Sequence, residues 1–410
     1  MRATVHSLRG FFTDGLREVT RGSAAYHVWM GALTLVMLCG AYAYSVQLRE
    51  GLAVTGMHDH VSWGLYISCF TFLVGMAAAA VILVMPTYVL QDHDFKSAVL
   101  FGEALAVSAL VTAIGFVIVD MGGPERLWHL MPVVGILNWP RSMLTWDILV
   151  LNGYLVLNLL IPFYILYNHY RGREPDPRWY VPAVFVSIAW AVSVHLVTAF
   201  LYAALPARPY WHTALLGPRF LATAFAAGPA LMIIILSMIR RYTPYAVADA
   251  TIGKLALVAT VAGQVSLVML VSELFAEFYR TTHHSESAAY LYLGLEGRRE
   301  LVPWSWTSVG LVVAATVMLS VHAVRRFPPA LYLACGMLFV GVLIEKSIGT
   351  IIPGFVPEPW GKIPHYVPTW VELTVSAGLW ALGAFVFTVL AKAAIPIELR
   401  HAARAADGGH

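Results

Sequence analysis

Ten stretches of this chain are apolar over about the length that crosses a bilayer, and nothing else in it limits the fold as tightly. They are 26–48, 63–90, 98–119, 145–167, 181–205, 219–239, 253–279, 304–324, 330–352 and 369–391. Within hydrocarbon a helix satisfies every backbone amide inside its own segment. The connectors gather proline and glycine, as in GREPDPRWYVP and PGFVPEPWGKIPHYVP, and proline ends helices. The expected fold is therefore all-α, a polytopic membrane protein of ten transmembrane helices. Composition agrees. The chain is 59% hydrophobic and 12% charged, whereas a soluble domain is about 45–50% apolar and about 25% charged. A formal net charge of +3 offers no basic surface for nucleic acid.

Cys39, Cys69 and Cys335 lie far apart inside apolar runs, and no CxxC occurs. No metal site, haem attachment or iron–sulfur ligand set is expected from this chain itself. The N-terminus lacks the continuous apolar core of a cleavable signal. Its Leu8, Phe11, Phe12 and Leu16 suit one side of an amphipathic helix at the inner membrane face.

Charge sets the expected orientation. The tails and even-numbered loops hold 16 Lys and Arg and the odd-numbered loops 9, with Lys346 inside a span completing the 26. The positive-inside rule then puts both termini in the cytoplasm of a bacterial or archaeal cell. The segment GEALAVSALVTAIGFVIVD (102–120) parallels GKLALVATVAGQVSLVMLV (253–271). This repeat suggests two four-helix bundles, spans two to five and six to nine, with spans one and ten peripheral. The expected divisions are a tail over 1–25, a peripheral helix and outer loop over 26–62, bundles over 63–205 and 206–352, an outer loop and helix over 353–391, and a tail over 392–410.

Charged groups are costly inside a membrane and are functional candidates by default. Glu103, Asp147, His195, Glu273 and Glu345 lie in or at the ends of spans and are candidates for proton transfer. Three outer stretches also gather polar groups: TGMHDHVSWG with His60, DMGGPERLWHL with Asp120, Arg126 and His129, and NWPRSMLTWD with Arg141 and Asp147. A membrane quinone needs such a setting. Its ring and tail enter from lipid, while its oxygens need hydrogen-bond partners and proton carriers. Imidazole donates and relays protons. A carboxylate accepts the proton of a quinol. Arg126 is placed to orient an acid or to meet a partner subunit. Read from the residues alone, a secondary transporter and a purely structural membrane anchor stay open. A haem b anchor would need paired histidines at matched depth, and His195 has no evident partner.

DMGGPERLWH resembles the D-x-G-R-P-x-R-x-W-H element of the polysulfide reductase membrane-subunit family, NrfD/PsrC. WGLYISCFTFLVGMAAAAVIL (63–83) is similar to that family's first core helix. SELFAEFYRTTHHSESAAYLYLGLEG and LVPWSW, within 272–306, resemble its ten-helix branch, which includes the DsrP-like menaquinol-oxidising subunits of Dsr- and Hme-type complexes. One departure is Gly123, where the family carries arginine. The resemblance implies a non-autonomous subunit of a quinol oxidoreductase complex in respiration or sulfur metabolism. It would bind menaquinone or ubiquinone near the outer face, hold no haem or iron–sulfur cluster, and exchange electrons with a ferredoxin-like iron–sulfur partner. Cytochrome or catalytic subunits would lie beyond. It implies a quinone-site wall of His60, Asp120 and His129, and a proton path through Glu103, His195 and Glu273.

Overall fold

The structure is a computed structural model that describes residues 8–78, 80–131, 134–279, 283–357 and 361–407. The first seven residues and the last three of the expected tails lie outside the described residues. The fold is all-α, and the described residues form no β-strand beyond two isolated bridges. The helices are α1 (Leu8–Thr20), α2 (Ala24–Glu50), α3 (Leu65–Ala78), α4 (Val81–Tyr88), α5 (Lys96–Asp120), α6 (Met143–Tyr170), α7 (Pro177–Ala203), α8 (Leu216–Tyr242), α9 (Asp249–Tyr279), α10 (His283–Tyr292), α11 (Val302–Ser320), α12 (His322–Arg326), α13 (Pro328–Lys346), α14 (Ile348–Ile351) and α15 (Trp370–Asp407). Among the described residues, ten spans are long and apolar enough to cross a membrane. Span two is shared by α3 and α4, and span nine by α13, α14 and a 3-10 turn. The chain is an integral multi-pass membrane protein. Its even number of spans puts both termini on one face, here the N-terminal face.

Local chemistry sets where the spans begin and break. Ser23 and Ser142 cap α2 and α6 by accepting from the amides of Tyr26 and Thr145. Asp176 caps α7, whose first residue is Pro177. Hydroxyls inside the spans turn back on their own helices. Ser68, Thr71, Ser108, Thr112 and Thr260 each donate to the carbonyl four residues earlier, which satisfies these buried hydroxyls within their own helices. Span nine breaks at Ser347, whose backbone leaves the helical region at φ −92° and ψ −104°.

In the first half, α3 packs on α5 and α7, and α6 packs on both α5 and α7. In the second half, α8 packs on α9 and α13, and α11 packs on the same two. The halves meet where α8 lies against α3 and α7. An aromatic cluster fills the seam at the face opposite the termini. Trp63 lies 5.6 Å from both Tyr202 and Trp211, and Trp211 lies 5.2 Å from Phe355, ring centre to ring centre. Buried Trp211 satisfies its indole N–H on the Thr350 carbonyl at 2.8 Å.

The first and last spans pack on each other, and α15 also packs on α5. Glycine makes the first contact possible. A Cβ at Gly40 would stand 2.7 Å from the Gly378 Cα, so the two backbones touch. Helix α1 forms as the amphipathic pattern implies. Phe11 packs edge-on against Phe163, Tyr167 and Tyr170, while Leu8, Phe12 and Leu16 stay exposed.

Candidate functional site

Most of the ionisable groups singled out from the sequence lie in three places. The first is the opposite face where α2, α3, α5 and α15 converge. Here the connector before span two is bonded to the connector before span ten. Glu372 accepts the Gly56 amide at 2.6 Å and the Thr369 amide at 3.0 Å on one oxygen. Its other oxygen accepts the Tyr366 hydroxyl at 2.6 Å, and that hydroxyl in turn accepts the Leu65 amide at 2.6 Å. Burial, and then the charge of Glu372, raise the Tyr366 phenol well above its ordinary value. Next to this network Tyr66 donates to Gln47 Oε1 at 2.7 Å, and Gln47 donates to the Val119 carbonyl at 2.6 Å.

Tyr66 lies within electrostatic reach of Glu372, Asp120 and Tyr44. The polar groups of the network are bonded to one another, but two beside it are not. Asp120 Oδ1 and the Tyr44 hydroxyl are enclosed and have no hydrogen-bond partner among the described residues. A buried polar atom without a partner costs about 1–3 kcal/mol. Asp120 leaves an acceptor unpaired here and Tyr44 a hydroxyl.

The other residues of the expected wall lie at the surface of this face. His60 is exposed, its amide donating to His58 Nδ1 at 3.2 Å, and His58 is tied to the His365 carbonyl at 3.0 Å. Arg126 meets its neighbour Glu125, at 3.9 Å with both side chains largely exposed. His129 stacks on Trp128 with ring centres 3.7 Å apart. Beyond them Met131, Val134, Ile136 and Trp139 are exposed. Asp120 is therefore the residue of the expected wall that offers an enclosed polar atom. Arg126 and His129 sit on a short 3-10 turn (Pro124–Leu130) above it.

The second place lies in the second half, towards the same face. Arg219 lies between Glu345 and Glu273. Its Nε and Nη2 donate to Glu345 Oε1 at 3.1 and 2.8 Å, and its Nη1 pairs with Glu273. A cleft of about 420 Å³ opens beside them, lined by Tyr210, Tyr292, Leu270, Leu301 and Trp304. The charged groups on its wall, Arg219 and Glu345, are already bonded to one another.

The third place is the interior seam. Lys346 is buried, donates to the Phe220 carbonyl at 3.0 Å and lies over the Phe220 ring. A Cβ on Gly75 would stand 2.8 Å from its Nζ. Across Gly75 lies fully buried His195, with Nδ1 3.3 Å from the Ala191 carbonyl. Asp147 is buried and accepts Thr198 at 2.7 Å. Glu103 is buried apart from these, near Tyr88 and Tyr154.

Sequence reasoning did not single out Arg219, Glu372, Tyr366 or Tyr44 as site residues. Arg219 and Glu372 stand at the first turns of their spans and read there as ordinary edge charges. The signal that could have found Arg219 was the pair Glu273 and Glu345, two acids in apolar helices that need a cation.

The model of the family described as polysulphide reductase, NrfD, matches residues 53–356. The chain belongs to the NrfD family. This NrfD chain is 24% identical over 419 residues to a putative dimethyl sulfoxide reductase membrane subunit from Halobacterium salinarum, with 93% of the chain and 94% of that protein aligned. It is 24% identical over 388 residues to the Hdr-like menaquinol oxidoreductase integral membrane subunit of Archaeoglobus fulgidus, with 91% and 94% aligned. It is 22% identical over 395 residues to the menaquinone reductase integral membrane subunit of Nitratidesulfovibrio vulgaris, with 89% and 90% aligned. The matched region takes in all three polar places except Tyr44, Gln47, His365, Tyr366, Thr369 and Glu372, which the first and last spans and the final connector bring in.

Proposed function

We propose that this chain is the quinone-reactive membrane subunit of an oxidoreductase complex, and that the quinone ring sits at the α2–α3–α5–α15 junction. The observation that carries the reading is the pair of enclosed atoms without partners, Asp120 Oδ1 and the Tyr44 hydroxyl. A quinol hydroxyl donates to the carboxylate, and the phenol donates to a quinone or quinol oxygen. Both redox forms therefore find a complementary group. Two relatives whose names contain menaquinol or menaquinone support this choice of ligand.

In this reading His60, Arg126 and His129 lie on the water side of Asp120. His129 and His60 hand protons between Asp120 and the outside, and Arg126 keeps Asp120 oriented or meets a partner. The exposed Met131, Val134 and Ile136 form an apolar patch beside Arg126, suited to an iron–sulfur subunit that receives or supplies the electrons. Catalytic or cytochrome subunits would extend that chain.

Glu103, Asp147, His195, Glu273 and Glu345 act in proton transfer in the same reading. Arg219 holds one positive charge against two carboxylates, so the group carries a surplus acid that a proton balances. Lys346 and His195 flank Gly75 and link that group to the first half. The membrane is the cytoplasmic one, with both termini inside.

The test is a fluorescence-quench titration of a quinol-analogue inhibitor on the purified chain, beside Asp120→Asn, His129→Ala and Trp304→Leu. Saturable binding weakened by Asp120→Asn supports the junction. Binding weakened only by Trp304→Leu would move the ring to the cleft beside Arg219. Absence of binding to the purified chain and to its assembled complex alike would leave the transporter and anchor readings.

A further inference from the structure

The helix α15 has 38 residues, about 57 Å of helix against about 30 Å of hydrocarbon. Its C-terminal turns therefore continue past the membrane on the N-terminal face, where they meet the end of α6. Two residues one turn apart on α15, Glu398 and His401, face His169 near the end of α6 and Glu174 in the connector after it. His169 Nδ1 is 2.6 Å from Glu398 Oε1, and His401 Nε2 is 3.2 Å from Glu174 Oε1. The two imidazoles lie face to face, ring centres 3.9 Å apart and planes within 6°. One ligand atom each from His169, Glu174 and His401 falls within 4.8 Å of the others.

We propose that His169, His401 and Glu174 bind one divalent first-row transition ion of the zinc type, with Glu398 orienting His169. The donor set suits that class, since imidazole is a borderline ligand that calcium and magnesium do not select, and zinc takes a carboxylate oxygen beside it. Ligand atoms around such an ion stand about 3.4 Å apart, given bonds of about 2.0–2.2 Å. His401 and Glu174 are already near that spacing, at 3.2 Å. The lone pairs of parallel rings do not converge, so one ring turns out of the stack on binding, and Glu174, whose side chain is 80% exposed, turns with it and leaves the ion a path from water. Glu398 engages Nδ1 of His169 and so leaves Nε2 as the ligating nitrogen, the arrangement in which a carboxylate fixes the tautomer of a metal-bound histidine.

Two carboxylates, Glu174 and Glu398, stand against the two rings. No motif announces the site, because His169 and Glu398 are 229 residues apart. The bound ion would pin the projecting end of α15 to α6.

The experiment uses the full chain in detergent, stripped with a chelator and titrated with zinc ions against a competing chromophoric chelator. One ion bound per chain is expected, weakened at least tenfold in His401→Ala and in Glu174→Gln and unchanged in His322→Ala. Cobalt added to the unmutated chain should give the visible bands of a low-coordinate nitrogen–oxygen site, which needs no variant to fold. No stoichiometric binding, or equal binding in a His169→Ala/His401→Ala double variant, overturns the proposal and leaves two histidine–carboxylate hydrogen bonds.

Discussion

Arg219 grips Glu345 through two nitrogens on a single oxygen, at 3.1 and 2.8 Å, while its third nitrogen holds Glu273. One guanidinium thus bridges acids from two other helices, α9 and α13. Removing one side of a buried pair costs about 3–5 kcal/mol, because the charge left behind has no partner. Arg219→Gln should therefore lower the thermal midpoint in detergent by far more than Glu345→Gln, which leaves Arg219 on Glu273. Equal midpoints for the two variants would contradict this account of the cluster.

Tyr366 and Glu372 make an alkaline prediction. The Tyr366 phenol is raised above its ordinary value of 10.0, by burial first and then by Glu372. A group whose folded pKa is raised holds its proton more tightly when folded. Its contribution is complete below about pH 10 and is lost as pH climbs above that value. Stability should fall above pH 10, and Tyr366→Phe should flatten that fall. At neutral pH the same variant should cost about 1–3 kcal/mol, since it strands the Leu65 amide. Chemical-denaturation curves at pH 8 and above pH 10 give both quantities.

The contact of Gly40 with Gly378 is backbone on backbone. A side chain at either position must push α2 and α15 apart. Gly378→Leu should cost at least about 1–3 kcal/mol, the usual range for overpacking. It should also expose the connector before span ten to protease. Gly310→Ala, where nothing lies within 4 Å of the added carbon, serves as the silent control.

Lys346 is buried with a carbonyl and a ring as its contacts. Its hydrogen bond goes to a neutral carbonyl, and a buried charge without a bonded counter-ion costs more than an apolar side chain in its place. Lys346→Met should keep or raise the thermal midpoint while changing proton-coupled turnover in the assembled complex. A large drop in midpoint would show instead that the ammonium holds the break at Ser347 together.

The ten spans were legible because a twenty-residue apolar run has one physical outcome in a bilayer; the ends of nine moved by about four residues or fewer, while the last helix runs on past 391 to Asp407. Asp120 was legible for the same reason, as an acid at the end of such a run. The partners of the buried charges were not. Arg219 is 126 residues from Glu345, and Glu372 is 316 from Gly56, so neither pair leaves a local pattern. The role of the first and last spans was hidden too. They read as peripheral, and nothing local in their sequence tells that α2 carries Tyr44 and α15 carries Glu372 beside Asp120. Hydropathy gives each helix its depth but not its neighbours.

The central claim is that Asp120 accepts a hydrogen bond from a quinol hydroxyl. The direct measurement is the affinity of quinol and of quinone for Asp120→Asn and for the unmutated chain. A hydrogen bond to a charged group is worth about 1.5–3 kcal/mol, or roughly 10- to 150-fold in affinity. Asparagine can still donate to a quinone carbonyl but no longer offers a carboxylate to a quinol. The account predicts that quinol binding weakens by at least tenfold while quinone binding holds or tightens. Equal loss of both forms, or loss of neither, would contradict it.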